Sequence, residues 1–442
     1  MAENAKVTII IVAENQLQPL EVCLNLVRFY GRNMDIQVLV ADNGSSDGTS
    51  QWLQDNNMEY TCFGHNAGLG KILNEMLSRY HVDTDVLLLN PDYMLTDGCL
   101  EAMREVLYGE DRIGAVNPIS NGFGRCSLPV YDYDAAANLA EELKDRPGRR
   151  KRLGLYDGCV LLKYEAMKRV GDFSEEFHAA FFVILDYMIR MLYEDYDLMS
   201  SENAIAYSIS PYEECFDEKE KELLNRKYGM KYFNIECNSF IVEQIEKEEN
   251  KTLTVLEIGC DCGATLLEIT NKFPDAHVYG YEINKCAASV ASYAAEVEVG
   301  NIEKFELPYR QGFFQYILLP DVLEHLSKPK EVLEYLKRFL REDGKIIINI
   351  PNIQHISVVR ELLKGNFTYR ESGLLDETHI HFFTINEINR MLISIGYTVD
   401  LIISERSPLS EEDQELIQKL VGIMPGAEKA MFEAFQYLLV VS

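Results

Sequence analysis

The sequence predicts an α/β protein with two Rossmann-like domains, and three observations carry that prediction. Buried-type apolar runs open both halves, at Val7–Val12 and Ile36–Val40 and again from Thr252 to Ile258. Turns rich in Gly, Asp and Asn follow them, ADNGSSDGT after Val40 and GCDCG after Ile258, at the strand ends where parallel sheets bind ligands. Between the halves, EECFDEKEKELLNRK and EQIEKEENK read as an exposed helical connector, which divides the chain into 1–211, 212–250 and 251–442.

The individual elements follow from spacing. After the first strand, Leu20, Cys23, Leu24 and Val27 share one helical face. In the second half, Leu266, Ile269 and Phe273 predict a helix from Ala264, and His277–Tyr281 a second strand. Phe313–Leu319 is a further strand, and Lys330–Leu340 an amphipathic helix with Leu333, Leu336 and Leu340 in line. Asp343-Gly344 turns the chain into the buried strand KIIINI. Further strands are expected near Tyr397–Ile403 and, antiparallel, at Phe435–Val441.

Composition bounds the function. A chain of 442 residues with 47% apolar content can bury two or three cores. Its net charge of -29 argues against nucleic acid, because phosphate binding needs an excess of Lys and Arg. The ten cysteines lack paired-doublet spacing, and Cys260 and Cys262 fall inside a turn, so zinc is not expected and a reduced, cytoplasmic protein is. VTIIIV is too short for a leader, and no apolar run approaches the ~20 residues of a membrane span.

TLTVLEIGCDCGATLLEITNKFPDAHVYGYE reads strand, turn, helix, strand, and ends in Glu282 about twenty residues past the glycine turn, as a nucleoside-binding βαβ unit requires. Such a turn lets a ligand approach the backbone, and the carboxylate accepts two ribose hydroxyls. The pattern EIGC-x-CG, with an acid before the turn, resembles motif I of class I S-adenosylmethionine-dependent methyltransferases. The resemblance implies S-adenosylmethionine as cofactor, with Glu257, Gly259, Cys260 and Gly263 at its methionine end and Glu282 at the ribose. It also implies Asn301 and Ile302 at the adenine, and Asp321 in the crevice beside the transferable methyl. Asp261 stands where a middle glycine is common; aspartate tolerates the left-handed backbone better than most residues.

IPNIQHISVVRELLKGNFTYRESGLLDETHIHFFT resembles a segment of bacterial polysaccharide methyltransferases often fused to family 2 glycosyltransferases, although His381 replaces an arginine common there. A sulfonium is already activated, so alignment of an acceptor oxygen about 3 Å from the methyl supplies most of the rate. A hydroxyl acceptor must also lose its proton. His325 is the first candidate base, because an unperturbed imidazole titrates near pH ~6.5. Asp376 and His379 in LLDETH form a second acid and imidazole set, whose alternative is a network capping a helix start.

The first half carries VTIIIVAEN, VLVADNGSSDGT, GHNAGLGKILNEML and VLLLNPDYML in that order. Together they resemble the GT-A fold of family 2 glycosyltransferases, especially the rhamnosyltransferase-like branch. The resemblance implies a nucleotide-sugar site at Asp42, Asn43, Asn66, Gly70, Asn74 and Asn90. It also implies Mg²⁺ or Mn²⁺ at Asp92, in Asn90-Pro91-Asp92, the counterpart of an Asp-x-Asp motif. In VGDFSEEFHAAFFVILDYMIR, Val183 and Ile184 occupy the family's acid pair and only Asp186 remains as a base. The histidine that often closes the metal site is matched by Ser208 or Ser210.

Arg146-Pro-Gly-Arg-Arg-Lys-Arg152 is a basic island, read either as a solvated loop or as a contact for diphosphate or an anionic membrane surface. The whole suggests a fused enzyme of surface-glycan assembly, transferring a sugar from a nucleotide donor to a glycan or lipid-linked glycan and O-methylating a sugar. The alternative is a methyltransferase whose first domain is a non-catalytic glycan-binding or scaffold module.

Overall fold

The computed structural model describes residues 6–64, 67–121, 130–155, 158–210, 217–230, 233–247 and 251–442. It divides into two compact units, Met1–Glu236 and Cys237–Ser442.

The first unit holds strands β1 (Val7–Ala13), β2 (Ile36–Asp42), β3 (Tyr60–Cys62), β4 (Asp85–Leu89) and β5 (Tyr93–Leu95). It continues with β6 (Ile113–Ser120), β7 (Arg149–Arg152), β8 (Cys159–Leu162) and β9 (Asp197–Ser208). They form one nine-stranded sheet in the order β3-β2-β1-β4-β8-β6-β9-β5, with β7 paired to β9. β1 lies parallel to β2 and β4, whereas β8 runs antiparallel to β4. Strand order therefore reverses at β1, and the segments after β1, β2 and β4 open onto one crevice, where such sheets bind ligands. Ile9, Ile11, Leu20, Leu24, Leu87 and Met103 fill the core on one face.

The second unit holds β10 (Thr254–Ile258), β11 (His277–Glu282), β12 (Glu296–Val299), β13 (Phe314–Pro320), β14 (Leu340–Pro351), β15 (Val399–Arg406) and β16 (Ala434–Val441). Their order is β12-β11-β10-β13-β14-β16-β15, with β16 antiparallel between β14 and β15. The chain leaves β10 toward β11 and returns to β13 on its other side, so the switch point lies over the ends of β10 and β13. Leu256, Ile317, Leu319, Ile346 and Ile348 fill one face of this sheet, and Val255, Leu318 and Ile347 the other. β13 and the second half of β14 are consequently apolar at most positions, as strands covered on both faces require.

Two expectations meet a different structure. The predicted helix Lys330–Leu340 is Pro329–Leu336 followed by a 3₁₀ turn, and Leu340 already belongs to β14, so Asp343-Gly344 sits within that strand. The stretch 212–250 is not one exposed connector where it is described. Helix Glu218–Tyr228 belongs to the first unit: Leu224 is buried, and the carboxylate of Glu220 accepts the amides of His178 (2.6 Å) and Ala179 (2.9 Å). Ile241, Val242 and Ile245 belong to a core of the second unit. A charge-rich helix hides a few packing residues from any compositional reading.

The basic island is also resolved. Arg149–Arg152 is β7, whose side chains meet acids: Arg149 pairs with Glu110, Arg150 with Glu202 at 2.5 Å, and Lys151 with Asp197 at 3.4 Å. Arg152 donates to Ser200 Oγ at 2.9 Å. Three of the island's cations are thus paired with acids of the same unit, which weakens the reading of a diphosphate or membrane contact. No helix among the described residues is long and apolar enough to cross a membrane.

Candidate functional site

In the first unit the crevice is a cavity of about 840 Å³ lined by Glu14, Gln16, Asn43, Asn90, Asp92 and His178, among others. Asn43 closes its floor: its Oδ1 accepts the Ala67 amide at 2.7 Å, and its Nδ2 donates to Glu14 Oε2 at 3.2 Å. Asp42 is buried at the end of β2, accepting the Ser45 amide at 3.0 Å and the Ser50 hydroxyl, which shapes the turn after the strand. Asn90 Oδ1 accepts the Asp92 amide at 3.0 Å and so sets the direction of the Asp92 side chain. The Asp92 carboxylate accepts from Gln16 Nε2 at 3.1 Å; partial burial raises its pKa, against the hydrogen bonds of Ser210 and Gln16. Of the two serines in the sequence, Ser210 is thus the one bonded to Asp92, and both line the cavity. A divalent cation here would meet one carboxylate and neutral oxygens, a set suited to a hard ion that keeps waters or phosphate oxygens as further ligands.

Three expected residues do other work. Gly70 is a contact glycine: a Cβ there would strike the carbonyl oxygen of Ser174. The amide of Asn74 is spent on the same segment, accepting the Phe173 N–H at 2.8 Å and donating to its carbonyl at 3.0 Å. Asp186 does not reach the cavity. It is fully buried, ion-paired to Arg190 (2.9 Å) and Lys227 (2.9 Å) and hydrogen-bonded by Tyr228 Oη at 2.7 Å. Ile184, two residues earlier on helix Ala180–Tyr193, lines the cavity instead. Two residues of helix turn a side chain by roughly 200°, so the two cannot share a face. Asn66 lies outside the described residues. Glu14, Gln16 and His178 escaped the sequence reading because each gains its place only when strands distant in sequence come together.

In the second unit the turn after β10 is left-handed at Gly259 (φ 68°), Asp261 (φ 47°) and Gly263 (φ 84°). A Cβ at Gly263 would lie 3.0 Å from Ala291, and one at Gly259 3.0 Å from Val322 Cγ2. The loop therefore packs against the 321–325 segment at the switch point. Glu282 accepts the Asp261 amide (3.0 Å) and the Asn284 amide (2.8 Å), one on each oxygen, which orients the carboxylate and leaves lone pairs for ribose hydroxyls. Asn301 caps the next turn, its Oδ1 accepting the Glu303 amide at 2.9 Å, and Ile302 beside it is buried. Cys260 and Cys262 are buried; burial pushes the Cys260 thiol far up, which keeps it protonated.

Glu257 is buried at the end of β10, and its Oε2 has no hydrogen-bond partner. Burial first, and the negative Asp261 second, raise its pKa well above the ordinary carboxyl value. A buried acid with an orphaned oxygen next to a Gly-rich turn is where the ammonium of a methionine moiety would be welcomed. The fit of S-adenosylmethionine rests on that oxygen, on the oriented Glu282 and on the close turn.

Asp321 (φ 49°) follows β13, held by Asn349 Nδ2 at 3.2 Å. The turn Leu323–His325 follows, and the 374–381 loop closes on it: the Glu324 carbonyl accepts the amides of Ile380 (2.9 Å) and His381 (3.0 Å). Three sequence-predicted groups meet there. His325 and His379 stack edge to face at 4.8 Å, and His325 Nδ1 lies 3.2 Å from both the carbonyl and the hydroxyl of Thr378. Asp376 Oδ1 accepts the Thr378 hydroxyl at 2.6 Å, and that hydroxyl oxygen lies against the imidazole of His325. Glu324, which no sequence argument singled out, is buried with neither carboxylate oxygen hydrogen-bonded. Burial, then Asp321, raise its pKa well above the ordinary value.

Compared with protein families, residues 8–171 match Glycosyl transferase family 2, and residues 230–402 match a family described as Methyltransferase domain. O-methyltransferase 3 of Dictyostelium discoideum is 23% identical over 174 residues, covering 35% of this chain and 39% of that protein. The N-acetylglucosaminyl-diphospho-decaprenol L-rhamnosyltransferase of Mycobacterium tuberculosis is 24% identical over 173 residues, 32% of this chain and 56% of that one. The chain spans about half the length of these curated relatives. Among solved structures, a SAM dependent methyltransferase from Archaeoglobus fulgidus is 16% identical, covers 50% of this chain and 98% of that one, and superposes with a TM-score of 0.34. The chain thus joins a family 2 glycosyl transferase domain to a methyltransferase domain.

Proposed function

We propose that the chain is a bifunctional enzyme of glycan assembly, whose second unit moves a methyl group from S-adenosylmethionine to a sugar oxygen while the first takes a nucleotide sugar as glycosyl donor. The observation that carries the methyl-transfer half is the orphaned Glu257 oxygen beside the left-handed turn, with Glu282 oriented opposite the same loop. When bound, the sulfonium supplies an activated methyl; the chain's own task is to hold donor and acceptor in line and exclude water. In this reading Glu257 binds the methionine ammonium, Glu282 the ribose, Asn301 and Ile302 the adenine, and Asp321 the rim beside the methyl. His325, held through Thr378 by Asp376, takes the acceptor proton. In the first unit, Asn43, Asn90 and Asp92 would hold the donor and its Mg²⁺ or Mn²⁺. A surface glycan, a lipid-linked acceptor and a cytoplasmic site belong to the same proposal; the lipid-linked acceptor has support in the chain's likeness to the mycobacterial rhamnosyltransferase.

One observation favours a second reading, in which the first unit binds a sugar nucleotide without transferring it: Asp186 is locked in an ion-pair network and Ile184 stands in its place at the cavity. Incubation with nucleotide sugars, Mn²⁺ or Mg²⁺ and S-adenosylmethionine, with nucleoside diphosphate and adenosylhomocysteine followed separately, divides the two. Diphosphate release supports the bifunctional enzyme, and adenosylhomocysteine alone supports the binding module. Asp92→Ala is expected to abolish metal-dependent binding of the sugar nucleotide in both cases, and unchanged binding removes the assigned metal site.

A further inference from the structure

We propose that Glu324, His325 and His379 form a binding site for one first-row divalent cation of the zinc class, whose open position takes the acceptor oxygen. The inference rests on the second unit being a methyl-transfer domain, and replaces the free-base role of His325 with that of a ligand. It departs from the sequence reading, which weighed only the cysteines and did not expect zinc, since no thiol is involved.

Four observations carry it. One donor atom from each of the three side chains lies within 4.8 Å of the other two. Four-coordinate ions of this class hold donors at about 2.1 Å, hence about 3.4 Å apart, so roughly an ångström of side-chain rotation closes the set. Glu324 is 1% exposed and both its oxygens lack hydrogen bonds, a buried acid beside two imidazoles that makes no ion pair with Lys or Arg among the described residues. Holding a carboxylate there ionised carries an uncompensated loss of hydration unless a cation meets it. His325 directs Nδ1 at the Thr378 carbonyl (3.2 Å) and His379 directs Nδ1 at the Leu374 carbonyl (3.4 Å). A carbonyl only accepts, so each Nδ1 donates a proton there, as in histidines that bind a metal through Nε2. Finally, Asp376 and Thr378 brace His325 from behind, and the Glu324 carbonyl fixes the loop that carries His379.

Two imidazoles and one carboxylate suit Zn²⁺, Co²⁺ or Fe²⁺ better than Mg²⁺ or Ca²⁺, which prefer oxygen alone, and three protein ligands leave a position open. The chemistry balances without another reactant. An acceptor hydroxyl at the open position gives its proton to solvent water, and its oxygen forms a bond to the methyl carbon. The carbon–sulfur bond breaks with its electron pair staying on sulfur, leaving an ether and a neutral thioether. The site lies within reach of the donor turn, since Val322 packs under Gly259.

The test uses the full chain, stripped of metal and titrated with Co²⁺, with adenosylhomocysteine binding followed by calorimetry on the same samples. An intense visible ligand-field band that saturates with one equivalent of Co²⁺ is expected, distinct from the weak band of an oxygen-only site such as Asp92, and lost in Glu324→Gln and in His379→Ala while adenosylhomocysteine still binds. A band that survives both substitutions, or its absence in the unmodified chain, overturns the site. Adenosylhomocysteine binding without the cobalt band sinks the metal and spares the methyl-donor reading; the band without adenosylhomocysteine binding does the reverse.

Discussion

Two buried carboxylates, Asp186 in the first unit and Glu257 in the second, sit on comparable scaffolds in opposite states. Asp186 meets two cations and a phenol, whereas Glu257 Oε2 meets nothing. Burial costs each acid the same hydration, but Asp186 meets two cations, whereas Glu257 gains only the hydrogen bond of Thr265. A satisfied acid therefore marks structure, and an orphaned one marks a place kept for a ligand. Titratable side chains near a cleft are better sorted by who answers them than by residue type.

The comparison breaks most visibly at Asp186. Asp186→Ala leaves Arg190 and Lys227 without their buried partner and is expected to cost the first unit about 3 kcal/mol or more in denaturant unfolding. Unchanged stability together with lost glycosyl transfer would return Asp186 to the role of base. At Glu257 the expected effect falls on binding. Glu257→Gln removes the partner of the donor ammonium and should weaken S-adenosylmethionine at least tenfold, about 1.4 kcal/mol, in calorimetry. Stability of the ligand-free chain should hold or rise, because a neutral amide needs less hydration.

The pH dependence of the same residue sharpens the contrast. The folded pKa of Glu257 is raised, so the folded state binds more protons than the unfolded one. Its contribution is present in full below the ordinary carboxyl value and is lost as pH rises through the folded value. Ligand-free stability measured against pH should fall across that window, and the fall should flatten in Glu257→Gln. Binding a cationic donor favours the ionised acid, so protons should be released on binding between those limits. The smallest effect is expected at Asn301, where Asn301→Ala removes a turn cap worth about 1 kcal/mol. A larger loss in donor affinity than in stability there would mark the adenine end of the site.

Much of this was legible beforehand. The strand predicted at Val7–Val12 is Val7–Ala13, that at His277–Tyr281 is His277–Glu282, and that at Phe435–Val441 is Ala434–Val441. Buried parallel strands advertise themselves as apolar runs, and left-handed turns demand Gly or Asp, so fold and donor turn are written locally. The roles of Gly70, Asn74 and Asp186 were not legible. Each is decided by a partner far along the chain: Ser174 for Gly70, Phe173 for Asn74, and Lys227 and Tyr228 for Asp186.

Sequence alone determined two nucleoside-type sheets, their turns and the acids at their strand ends, because period, turn chemistry and strand-end position are properties of neighbouring residues. Tertiary structure alone decided which acids are answered. Glu324 faces His379 across a gap of more than fifty residues in sequence, and Asp186 is claimed by a helix that reads as linker. Whether a buried charge is neutralised depends on what folds against it, and no local pattern records that.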